Sequence, residues 1–179
     1  MSQILTLVGV STLQTLEMVL FSTLFSMVIG FPLGVLLYST NSMGITPRPI
    51  LNQVLSRIVN VLRSFPFIIL MILLFPLSRL ILGTSIGTTA TIIPLSIAAA
   101  PFVARLVETA LLEVDPGMIQ AARAMGSTNS QIIYKVLIPE SMPSLVSGIT
   151  LTIINLIGYS AMAGTIGGGG LGDLAIRYG

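Results

Sequence analysis

The 179-residue chain has no histidine, no cysteine and no tryptophan, and only 8% of its residues are charged. Each gap removes a class of chemistry. Without histidine or cysteine there is no raw material for a zinc site, an axial haem ligand, a thiol nucleophile or a serine–histidine relay. Gly158-Tyr159-Ser160-Ala161-Met162 starts like a Gly-x-Ser-x-Gly elbow, but the second glycine is missing and no histidine can act as base. No Gly-x4-Gly-Lys-Ser/Thr phosphate loop occurs, so ATP hydrolysis is not expected of this chain. No metal or other cofactor is expected either.

The shortage of charge excludes more. Eight Lys and Arg and six Asp and Glu are all there is, where an average chain of this length carries about 45 charged residues. That is too few to cover a water-soluble surface. With 54% hydrophobic residues and a mean hydropathy of +1.00, the composition reads as an all-α polytopic membrane protein. The net charge of +2 and pI near 9.4 do not indicate nucleic acid, because the basic residues are scattered rather than clustered.

Four apolar stretches are long enough to cross a bilayer: about 16–38, 58–82, 88–111 and 145–163. The first carries Gly30, Pro32 and Gly34, which lipid-embedded helices tolerate where neighbours pack closely. The second begins inside an amphipathic helix and places Arg63 toward protein or headgroups and Arg79 at its far end, with bends expected at Pro66 and Pro76. The third places Arg105 and Glu108 three residues apart, within reach of an ion pair. The whole chain, 1–179, reads as one membrane domain. Four crossings put both termini on one side. Arg48, Arg57, Arg63, Arg105, Arg123 and Lys135 fall on the opposite side, against Arg79 and Arg177. The positive-inside rule makes the six-residue side cytoplasmic and the N-terminus external.

The polar segment 112–142 is then cytoplasmic. Asp115-Pro116 reads as an N-cap and first-turn proline, opening a short helix that stops at Gly126. Thr128-Asn129-Ser130-Gln131 is a capping box for a second short helix, from Gln131 to about Leu137, ended by Pro139. Ile119, Ala122, Met125, Ile132 and Ile133 make this knob more apolar than a solvated loop needs. They either pack on the chain's own spans or form a docking surface for another subunit.

Gln120-Ala121-Ala122, three residues, Gly126, nine residues, then Val136-Leu137-Ile138-Pro139 resembles the E-A-A-x3-G-x9-I-x-L-P signature of binding-protein-dependent ABC importer permeases. Gln120 replaces the signature's glutamate. The resemblance implies ATPase coupling through Gln120, Ala121, Ala122, Gly126, Val136, Ile138 and Pro139. Arg63-Ser64-Phe65-Pro66-Phe67-Ile68-Ile69-Leu70, Gly83-Thr84-Ser85-Ile86-Gly87, Ala100-Pro101-Phe102-Val103-Ala104-Arg105 and Gly158 to Met162 resemble the methionine-importing members. What this implies is a homodimeric permease in the inner cell membrane, bound to two cytoplasmic ATPase subunits. An extracytoplasmic binding protein would deliver D- or L-methionine to it. Compact permeases of this family have five spans, so a fifth is expected beyond the glycine-rich segment 164–172 and is missing here.

A translocation gate is expected around Tyr159, Ser160 and Met162. Met162 stands among small residues and either plugs an apolar constriction between two copies or is an ordinary packing methionine. Gly167 to Gly170 form either a re-entrant turn beside the path or a flexible external loop. Two rival functions remain at this stage. An ion channel would use glycine carbonyls as a filter, and a membrane scaffold would have no transport role; neither needs the cytoplasmic signature or an ATPase.

Overall fold

The structure, a computed structural model, describes residues 2–179, with side chains from Ile4 onward. Every regular element in that range is helical: α1 Ser2–Thr40, α2 Pro49–Ser64, α3 Phe67–Leu82, α4 Thr88–Leu112, α5 Pro116–Ala124, α6 Asn129–Ile132, a π-helical turn Ile133–Leu137, α7 Ile138–Glu140, α8 Met142–Gly164 and α9 Gly170–Tyr178. Three of these, α1, α4 and α8, are long and apolar enough to cross a membrane singly. The bent pair α2–α3 is a fourth candidate crossing.

Helix α4 is the axis of the fold. Two thirds of its most apolar stretch is buried, against 28% in α1 and in α8. Small residues make this burial possible. Gly30 and Gly34 lie against α4 so closely that a Cβ on Gly34 would stand 2.6 Å from both the Ala104 carbonyl oxygen and Val107 Cβ. The absent side chains are what allow the two backbones to approach, as in small-xxx-small membrane pairs. The outward faces of α1, α3 and α8 carry exposed Leu, Ile, Val and Phe, the composition of a surface for lipid or another apolar helix.

The second stretch departs from one helix over 58–82. The chain turns by 104° between α2 and α3. Pro66 is the physical cause, because its ring disfavours helical geometry in the residue before it. Phe65 is accordingly extended, at φ −71° and ψ 137°, and Pro66 becomes the N-cap of α3. Pro76 lies inside α3 without ending it. At about 1.5 Å per residue, the 16-residue α3 spans only about 24 Å. The amphipathic α2 diverges from it. Helix α1 also begins earlier than residue 16, at Ser2.

At one end of the bundle, the ends of α1, α4 and α8 meet the knob of residues 116–140. Tyr38, Ile45, Val107, Leu111, Val114, Ala122, Ile132, Leu137 and Leu145 form one continuous core there. At the other end, α9 folds back. The Gly170 and Leu171 amides donate to Gln14 Oε1 and Thr15 Oγ1 of α1, each at 2.9 Å, and the Gly87 amide donates to the Gly167 carbonyl at 3.0 Å.

Candidate functional site

The knob takes its shape from local capping. Asp115 Oδ1 accepts the Gly117 amide at 2.7 Å and opens α5. Its C-terminus is a Schellman turn: the Gly126 amide donates to the Arg123 carbonyl at 2.9 Å and the Ser127 amide to the Ala122 carbonyl at 3.1 Å. Gly126 has φ +81°, the left-handed conformation that this turn requires and that side chains disfavour. Thr128 and Gln131 then close a reciprocal capping box, with the Thr128 amide donating to Gln131 Oε1 at 2.8 Å and the Gln131 amide to Thr128 Oγ1 at 3.3 Å.

The second helix differs from an α-helix stopped by Pro139. Its path begins at Asn129, widens into the π turn and continues through Ile138–Glu140. In the wide turn the Ile138 amide donates to the Ile133 carbonyl, five residues back. This widening keeps the Pro139 ring clear of the preceding turn, where an α-helix would force a clash with the carbonyl four residues back.

The knob divides its apolar residues between two tasks. Ala122 and Ile132 are buried, and Ile119, Ile133, Val136 and Ile138 pack against the same core. They anchor the knob to α1, α4 and α8. Met125 is 80% exposed, and Met118 and Tyr134 are exposed with it. Gln120, Ala121, Gly126 and Pro139 also face outward. The signature residues therefore split, with Ala122, Val136 and Ile138 supporting a surface that Gln120 and Ala121 help to form. Met118 and Tyr134 are exposed on the same knob although the motif does not include them.

Polar bonds tie the same end together. Arg105 Nη1 pairs with Glu108 Oε2 at 2.6 Å, and Glu108 is only 3% exposed. Arg105 Nη2 also donates to Asn60 Oδ1 of α2 at 2.9 Å, and Arg123 Nη2 donates to the Ile45 carbonyl at 2.8 Å. A buried carboxylate left without such partners would be costly.

The expected gate residues do not converge within one copy. Ser160 is buried, and its hydroxyl donates to the Ile157 carbonyl at 2.7 Å within α8. Tyr159 stacks on Phe67, with ring centroids 3.9 Å apart, and lines a cavity at the α2–α3 break. Met162 is 46% exposed on the outside of the bundle, so it does not fill this chain's own core. The glycine run is a packed turn rather than a free loop, held to α1 and to the α3–α4 connection by the bonds given above.

Residues 30–178 match the family of binding-protein-dependent transport system inner membrane components. The chain belongs to this family. The match takes in the knob, the α8–α9 turn and the close approach of α1 to α4. A probable D-methionine transport system permease protein MetI of Pasteurella multocida is 57% identical over 173 residues, covering 97% of this chain and 80% of that protein. The D-methionine transport system permease protein MetI of Escherichia coli K12 is 53% identical over 151 residues, 84% of this chain and 70% of the relative. Among solved structures, a chain of the inward-facing MetNI methionine ABC transporter superposes with a TM-score of 0.98 at 49% identity, over all of this chain and 83% of that one. A chain of an amino acid ABC transporter with histidines shares the fold, at TM-score 0.78 and 22% identity. The polar bonds at the knob end join Asn60 of α2 to the Arg105–Glu108 pair of α4, which the three-residue spacing already suggests. They also tie Arg123 of α5 to the Ile45 carbonyl between α1 and α2. The Asn60 and Ile45 partners are not legible in the sequence.

Proposed function

We infer that this chain is the permease subunit of an ATP-driven importer of methionine, D- or L-. It works as a homodimer with two cytoplasmic ATPase subunits and an external substrate-binding protein. The observation that carries this reading is the whole-chain superposition on the MetNI transporter at 49% identity, which extends through the knob and the α8–α9 turn. Arg105, Arg123 and Lys135 belong to the knob end, whereas Arg79 ends α3 and Arg177 lies in α9, a bias that supports a cytoplasmic knob and an external N-terminus.

The mechanism follows from how the knob is attached. The chain has no phosphate loop, so nucleotide energy must enter through contact. Gln120, Ala121, Met125 and their neighbours offer an outward surface for the ATPase, while Ala122, Ile132 and Leu137 share one core with Val107, Leu111 and Leu145. A force applied to the outer face of the knob is therefore transmitted to α4 and α8, and a dimer of such bundles can switch between two packings. At the far end of α8, Met162 is free to meet its counterpart from the second copy, and the flexible thioether suits an apolar plug. Ser160 is buried, with its hydroxyl donating back to the Ile157 carbonyl, and is not part of the outward face that carries Met162.

Reconstitution with the ATPase and binding protein tests the reading. ATP-dependent uptake of radiolabelled methionine is expected, with no flux when the ATPase or its nucleotide is withheld. A conductance that persists without the ATPase would establish a channel instead.

A further inference from the structure

A cavity of about 270 Å³ lies where the α2–α3 break meets α4 and α8. It falls just under the roughly 300–1,000 Å³ of pockets for drug-sized ligands, a scale that suits a single amino acid. Besides the Tyr159 phenol, two strongly polar side chains line it, Arg63 from the last turn of α2 and Asn155 from α8. Neither hydrogen-bonds to another described residue. Arg105, Arg123 and Arg177 each satisfy their guanidinium on a carboxylate or carbonyl. Arg63 instead lies over the ring of Phe102, 5.9 Å from its centroid, and keeps its donors free.

The rest of the lining is aliphatic and aromatic, with the stacked pair Phe67 and Tyr159 beside Phe102 and the Tyr159 phenol as one further polar group. No acidic side chain lines the cavity. A free guanidinium beside low-dielectric walls favours a carboxylate, which it can bind through two parallel hydrogen bonds. The Asn155 amide provides an oxygen for an ammonium group and a nitrogen for a carboxylate. Aromatic walls receive an uncharged side chain, and a thioether gains additional contact energy against ring edges. The absence of an acidic residue disfavours ligands with a cationic side chain.

The geometry points to this cavity as an amino-acid subsite on the translocation path, with Arg63 binding the α-carboxylate, Asn155 the amino-acid head group and Phe67 and Tyr159 an uncharged side chain. It rests on the importer reading and adds the residues of the membrane domain that touch the cargo. Tyr159 then joins the subsite to the outer end of α8, since Met162 lies one turn further along the same helix.

The test uses the full permease with its ATPase in nanodiscs, without binding protein, and a diazirine analogue of methionine as photoprobe. Labelling is expected on peptides containing Phe67 or Tyr159. Excess methionine should remove the label, while methioninol, which lacks the carboxylate, and lysine should not. Arg63→Gln should lower labelling by about tenfold or more, as expected for losing a hydrogen bond to a charged group, and should erase the preference for methionine over methioninol. Arg63→Lys should keep that preference. The competition in the unaltered protein needs no variant, so misfolding of Arg63→Gln cannot shield the proposal. Labels mapping elsewhere, methioninol competing as well as methionine, or full labelling of an assembled Arg63→Gln complex would overturn it. Label in this cavity that leucine displaces and methionine does not, together with absent methionine uptake, would remove the methionine assignment and leave the carboxylate subsite standing.

Discussion

Gly126 carries the most local requirement in the knob. Its φ of +81° is paired with open space, since no atom lies within 4 Å of where a Cβ would stand. The cost of a side chain is therefore conformational rather than steric. Gly126→Val should destabilise the turn by about 1–2 kcal/mol, lowering ATPase association while membrane insertion persists. Gly126→Asn, which tolerates the left-handed region, should recover most of the association. Pull-down of the ATPase with each variant measures this; equal binding by the valine variant would mean the knob is not where the ATPase docks. Gln120 makes a sharper residue-scale case because it faces outward where the family signature has glutamate. A carboxylate at this position, beyond the first turn of α5, gains little from the helix dipole and needs a cation on the partner. Gln120→Glu is expected to tighten the ATPase complex by up to about 1 kcal/mol at low salt, with the gain lost at high salt. Identical affinities at both salts would show that Gln120 faces solvent in the complex.

At the scale of elements, the contact between α1 and α4 depends on what Gly30 and Gly34 lack. Gly34→Ala would place a methyl 2.6 Å from a backbone oxygen that cannot rotate away, and overpacking of this kind costs about 1–3 kcal/mol. The thermal midpoint of the detergent-solubilised protein should fall. Gly9→Ala is the control, because nothing lies within 4 Å of its Cβ position; equal shifts for both would remove the packing argument. These elements also show which features the amino-acid pattern reveals. The caps at Asp115, Gly126 and Thr128 are legible because each depends on residues within five positions of one another. The apolar stretches 88–111 and 145–163 match α4 and α8 for the same reason, as both are long and uniform. Pro66 signals a bend, but the 104° angle depends on what α2 and α3 pack against, and no local pattern encodes that. The π turn arises from Pro139 acting on carbonyls already committed to a helix. The Arg63–Asn155 cavity joins residues far apart in sequence, so only the folded chain brings them together.

At the scale of the whole molecule, the exposed apolar faces of α1 and α8 and the outward Met162 require a neighbour, either lipid or a second copy. The composition supplies a direct way to distinguish them. The chain has no cysteine, so Met162→Cys introduces the only thiol within these 179 residues. If two copies meet at this point on α8, mild oxidation should yield a covalent dimer, since a disulfide needs Cα atoms within about 4.4–6.8 Å. Leu80→Cys, on a residue 84% exposed at the far end of α3, should remain uncrosslinked under the same conditions. Met162→Ala removes the thioether without adding bulk, and it should raise passive methionine flux in proteoliposomes if the two side chains plug the path. Crosslinking at Cys without leak from Ala would place Met162 in the dimer seam but outside the gate. Neither crosslink nor leak would assign its exposed surface to lipid and shift the gate inward along α8, toward the Tyr159–Phe67 stack.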